Sequence, residues 1–110
     1  MKVSDELIKD IIKLHEVRDF KTLSTHVHRS EIEAASWFTE KRFTEVCDAI
    51  ENEIGVLTSI EHIDTLNRKS SCLTLWKTTY SKSKDEVLWQ ITFDAMTDKI
   101  KLMHINWEHM

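Results

Sequence analysis

Proline is absent from this 110-residue chain, and glycine occurs once, at Gly55. That excludes glycine-rich phosphate loops, collagen-like repeats and low-complexity linkers. No apolar run reaches the roughly 18 residues that a membrane-spanning helix needs. The opening MKVSDELIKD also lacks the hydrophobic region of a signal peptide. Cysteine occurs twice, at Cys47 and Cys72, without a C-x-x-C pair or any zinc-site spacing. Both are expected to be reduced, small apolar residues of a cytoplasmic protein. An excess of basic charge is missing too: the net charge is −4. The only local basic clusters, Arg68-Lys69 and Lys82 with Lys84, read as loop tips, so neither nucleic acid nor membrane is an expected partner.

What is present describes an ordinary globular chain. Hydrophobic residues at 41% suffice for a core, and the length suits a single domain spanning residues 1–110. Residues 4–20 read as a helix. Ser4 can cap it, Asp5 and Glu6 suit the positive end of its dipole, and Leu7, Ile8, Ile11, Ile12 and Leu14 form an apolar stripe. Val3 and Ile8 have the spacing of a hydrophobic staple. Ser30-Glu31-Ile32-Glu33 has capping-box spacing, and helical pattern continues from there to Ile54 with a break expected near Thr39-Glu40. Its second half is clear from Phe43, Val46, Cys47, Ile50 and Ile54. Gly55 follows directly, at the position where a left-handed backbone favours glycine.

From residue 56 onward the pattern becomes short and β-rich. Strands are expected at 56–66, 71–81, 86–94 and 99–108, with turns between them. Helices first and an antiparallel meander after define an α+β class, the N-terminal helices packing on one face of a four-stranded sheet.

Hairpin arithmetic then assigns the faces. A four-residue loop at 95–98 sets Asp94 opposite Lys99, Phe93 opposite Ile100, Ile91 opposite Leu102, Trp89 opposite His104 and Val87 opposite Asn106. A four-residue loop at 82–85 sets Tyr80 opposite Val87 and Trp76 opposite Ile91. The helix side then collects Trp76, Tyr80, Val87, Trp89, Ile91, Phe93, Ile100, Leu102, His104 and Asn106. The opposite side holds Leu73, Leu75, Leu88, Met103, Ile105 and Trp107 beside Lys77, Gln90, Thr92 and Lys101. Six large apolar groups do not belong on a solvated face, so this face is expected to form a two-fold homodimer, or else to be covered from within the chain. A one-residue slip would invert the assignment.

The layout resembles the NTF2-like (cystatin-like) superfamily, and is most similar to its small bacterial domains of unknown function. The features that carry the likeness are the long helix ending in Ile54-Gly55-Val56, the strand segments WKTTY from Trp76 and WQITFD from Trp89, and the closing KIKLMHI from Lys99. Asp98 stands where the last hairpin of that family usually has glycine. The resemblance implies a curved sheet wrapped around long helices, frequent dimers, and an apolar pocket between the layers. Family members include isomerase- and dehydratase-like enzymes and many proteins without catalysis, so fold analogy supplies no activity.

Candidate chemistry follows from the inward-facing groups. Trp37 and Phe38 on the second helix, with Trp76, Tyr80, Trp89, His104 and Asn106 on the sheet, are the expected pocket lining, or else core filling. His104 and Tyr80 are the candidate base and oxyanion partner for an isomerase-type reaction, with His62 or Asp64 as further candidates. His26-Val27-His28 with Glu31 and Glu33 invites a metal reading, but a third ligand is not fixed, and a solvated segment before a helix explains the same residues. No cofactor or metal is expected. The reading is a non-catalytic small-molecule-binding or protein-interaction module; the alternative is a small isomerase- or dehydratase-like enzyme.

Overall fold

The computed structural model describes residues 3–108. Four helices, α1 (Asp5–Glu16), α2 (Phe20–Ser24), α3 (Arg29–Ala34) and α4 (Glu40–Glu53), precede four strands, β1 (Leu57–Asn67), β2 (Ser71–Tyr80), β3 (Val87–Asp94) and β4 (Ile100–Asn106). The strands form one open antiparallel meander in the order β1-β2-β3-β4. The expected α+β class is the observed one.

Helix α1 starts as its sequence dictates. Ser4 Oγ accepts the Leu7 N–H at 3.2 Å, and Asp5 and Glu6 sit in the first turn. The helix ends earlier than expected, because Arg18 takes a left-handed conformation (φ 61°) and the chain turns into α2. Arg18 then reaches back to α4, donating to Asp48 at 2.6 Å and Glu51 at 2.7 Å. Gly55 closes α4 at φ 94° and donates its N–H to the Ile50 carbonyl.

The expected capping box at Ser30 does not form. His28 is the N-cap of α3 instead, its Nδ1 accepting the Ser30 N–H at 3.1 Å. Helix α3 buries no residue and stops at Ala35 (φ 52°). Residues 35–39 therefore separate α3 from α4, and Thr39 caps α4 by accepting the Arg42 N–H.

The core lies between the helices and one sheet face. Ile8, Ile11 and Ile12 from α1 and Phe43, Cys47 and Ile50 from α4 meet Trp76, Tyr80, Val87, Trp89, Ile91, Phe93 and Ile100 from the sheet. Thr74 and Thr78 are buried in the same face of β2, and each hydroxyl donates to a β3 carbonyl, Ile91 and Val87 respectively. No buried hydroxyl is thus left unpaired in that row.

Both hairpin registers depart from the expected ones. Between β2 and β3, Thr78 faces Val87 and Trp76 faces Trp89, a slide of two residues. Because side chains alternate with period two, an even slide leaves the faces unchanged, and Trp76, Tyr80 and Trp89 stay inward. Between β3 and β4 the pairing of Phe93 with Ile100 is as expected, but Lys101 is then skipped and Thr92 faces Leu102. This β-bulge inverts every later residue of β4. Ile91 faces Met103 and Trp89 faces Ile105, so Met103, Ile105 and Trp107 pack toward the helices, while Leu102, His104 and Asn106 turn outward. The expected outward placement of Met103, Ile105 and Trp107, and the expected inward placement of Leu102, His104 and Asn106, are both corrected. The cause is visible at the bulge. Ile100 is fully buried and its N–H and carbonyl bond to the 26–28 segment, while Lys101 extends to Glu31 and Ser30 at 3.2 and 3.1 Å. Asp98, just before the bulge, adopts a left-handed conformation at φ 58°.

Candidate functional site

The inversion of β4 opens a groove. Its helical wall comes from α4, where Arg42, Val46 and Ala49 follow one another at three- and four-residue spacing, with Phe43 beside them. Its sheet wall comes from the outermost strand, where Met103, Ile105 and Trp107 now face α4. The 35–39 connection closes one end with Trp37 and Phe38. The volume is about 550 Å³.

The aromatic walls are held in place by their neighbours. Phe38 stacks on Phe20 with ring centres 4.7 Å apart and meets Trp37 edge-on at 5.4 Å. The two groove tryptophans each donate their indole N–H to a carboxylate, Trp37 to Glu31 at 2.9 Å and Trp107 to Glu53 at 3.3 Å. Glu31 also pairs with Lys101, and these donors hold its carboxyl below the usual range, the Trp37 bond first among them. The indole polar atoms are thereby satisfied, and ring surface is what remains for the groove.

His15 forms part of the floor. It is 6% exposed and packs edge-on against Phe43 at 4.8 Å and Trp89 at 5.2 Å. Burial pushes its pKa down to about 4, so the imidazole is neutral at pH 7 and a weak base. Cys47 Sγ lies 3.8 Å from His15 Nδ1, and its S–H donates to the His15 carbonyl at 3.6 Å. Burial pushes the Cys47 thiol up to about 11. A neutral thiol beside a neutral imidazole is not the ion pair of a nucleophilic cysteine. A second recess of about 100 Å³, bordered by His15, Arg18, Cys47, Glu51 and Gly55, is too small for more than a few atoms.

The residues expected to line a pocket divide into three groups. Trp37 and Phe38 line the groove. Trp76, Tyr80 and Trp89 are at most 4% exposed and belong to the core beneath it, with Trp89 Nε1 donating to the Tyr80 hydroxyl at 3.3 Å. His104 faces Gln90 across the strands on the outward side and borders the groove along the sheet edge, and Asn106 is exposed on that outer face. His104 and Tyr80, paired as candidate base and oxyanion partner, therefore project from opposite faces of the sheet. His62 meets Trp76 in a tilted ring contact at 4.8 Å and bonds Thr65, while Asp64 pairs across from Leu75; neither borders the groove.

Among the described residues, no group of three or more His, Cys, Asp or Glu side chains is arranged to hold a metal ion. The candidates at 26–33 are engaged otherwise: His28 caps α3 and lies 3.7 Å from Asp94, Glu31 serves Trp37 and Lys101, and Glu33 pairs with Arg29.

Sequence reasoning missed His15, Arg42, Phe43, Val46 and Ala49 as groove residues. The helical ones carried a usable signal. His15 extends the Ile8, Ile11 and Ile12 stripe by one further turn, and the spacing of Arg42, Val46 and Ala49 places them together. No family model, curated protein or solved structure matches this chain.

Proposed function

We propose that this domain is a binding module that takes an apolar ligand in the groove between α4 and β4. One observation carries the reading: a recess of about 550 Å³ whose walls are Trp37, Phe38, Phe43, Val46, Met103, Ile105 and Trp107. That volume lies within the range of about 300–1,000 Å³ typical of small-molecule sites, and an apolar lining with few polar groups is the usual composition. The test is saturable binding of the neutral probe N-phenyl-1-naphthylamine, and its loss in Ala49→Trp, which fills the groove from the helix side. Unchanged probe binding in a folded Ala49→Trp, or no binding to the wild type, overturns the reading.

The same proposal includes a homodimer through the outer sheet face, in a cytoplasmic setting. Its support is the row Leu66, Leu73, Thr92 and Leu102 across the four strands, with Leu75 and Leu88 beside it; Leu66, Leu88 and Leu102 are 38–41% exposed. The cytoplasmic placement is supported by two free, buried cysteines. Among the described residues no helix is long and apolar enough to cross a membrane. Sedimentation of the wild type against Leu75→Lys tests the dimer, and identical monomeric masses for both would refute it. Helices leading into a four-stranded meander also support kinship with the NTF2-like superfamily.

A further inference from the structure

Helix α4 sets most of its charge against its own dipole. Glu40 suits the first turn, but Lys41 and Arg42 stand there too, and Asp48, Glu51 and Glu53 crowd the second half, with no basic residue in the last turn. Cations are disfavoured near a helix N-terminus and anions near its C-terminus, so both halves of the pattern cost stability unless something else is gained. For the acidic half the gain is the clamp of Arg18 on Asp48 and Glu51. Among the described residues Arg42 has no such gain. Its guanidinium makes no ion pair among the described residues, and it lines the groove together with Trp37 and Phe38.

Resting on the binding reading above, we infer that the ligand is an apolar monocarboxylate. Its carboxylate meets Arg42 at the positive end of α4, and its hydrocarbon part runs along Val46 and Ala49 toward Trp107. The planar guanidinium matches a carboxylate with two parallel hydrogen bonds, and the helix end adds to the attraction. A single negative charge fits better than a phosphate dianion, because Glu45 borders the same groove one turn along. The distance from Arg42 to Ala49 along the helix, about 10 Å at 1.5 Å per residue, suits a medium-length chain.

The experiment is a tryptophan-fluorescence and calorimetric titration with decanoate and with decanol, on wild type and Arg42→Gln. The Arg42 side chain is exposed, and far-UV circular dichroism checks that the variant folds. The wild type is expected to bind decanoate about tenfold more tightly than decanol. Arg42→Gln is expected to lose that preference, its decanoate affinity falling about tenfold to the level of decanol. Equal affinity of the wild type for acid and alcohol, or a preference that survives Arg42→Gln, overturns the head-group assignment and leaves the apolar groove standing. Binding of neither compound, together with failure of the neutral naphthylamine probe, overturns the groove reading itself.

Discussion

Acidification to pH 5 is expected to weaken the fold chiefly through His15. In the unfolded chain its imidazole titrates near 6.5; in the folded protein burial, aided by the positive charge of Arg18, lowers that to about 4. Between the two values the unfolded state binds more protons, so stability is fully present above pH 6.5 and is lost as pH falls toward 4. The full difference corresponds to about 3 kcal/mol, of which about 2 kcal/mol is gone by pH 5. That is a large share of the 5–15 kcal/mol that holds a typical domain together. Urea unfolding at pH 7.5, 6 and 5, followed by tryptophan fluorescence, should show the midpoint falling by about 1–2 M in the wild type. His15→Leu removes the titrating group while keeping an apolar side chain between Phe43 and Trp89, and its midpoint should move much less. A small residual slope of the same sign is expected from His26, whose pKa burial also lowers. Asp19, Glu31 and Asp94 have depressed carboxyl pKa values and weaken the fold as they are protonated, in a window that opens only at the acid end of that of His15. Equal pH slopes in wild type and His15→Leu would refute the claim that buried imidazole controls this range.

Three further outcomes follow from the geometry. Cys47 and Cys72 are both 5% exposed with raised thiol pKa values, so a disulfide reagent such as DTNB should label neither in native protein and both in urea; rapid native labelling of Cys47 would contradict its burial. Gly55→Ala should cost about 2 kcal/mol in thermal or urea unfolding, because a Cβ would stand 2.5 Å from Ser81 Oγ and 2.8 Å from Lys82 Cγ at φ 94°. Ile105→Asp should lower stability by about 2 kcal/mol and abolish probe binding, whereas Leu102→Asp should stay within about 0.5 kcal/mol, measured on the monomer; the reverse ranking would mean that β4 pairs without the bulge at Lys101.

Much of the architecture was legible residue by residue. Ser4 announces α1, the Phe43–Ile54 spacing and Gly55 announce the second half and end of α4, and strict alternation in β3 assigns Val87, Trp89, Ile91 and Phe93 to one face. These features depend on neighbours within a turn or a pleat, so local chemistry determines them. The groove does not have that property. It exists because one residue, Lys101, is left out of the β3–β4 ladder, which turns Met103, Ile105 and Trp107 from the outer face to the helix side. A bulge has no fixed sequence signature. Here it reconciles the burial of Ile100, its bonds to the 26–28 segment, and the reach of Lys101 to Glu31, contacts separated by about seventy residues in the chain. The pairing of Cys47 with His15 and the clamp of Arg18 on α4 are decided in the same way. Sequence alone therefore determined the elements, their order and the inner faces of β2 and β3. Tertiary packing alone decided which face of β4 meets α4, because in a structure of period two a single skipped residue exchanges the inside for the outside.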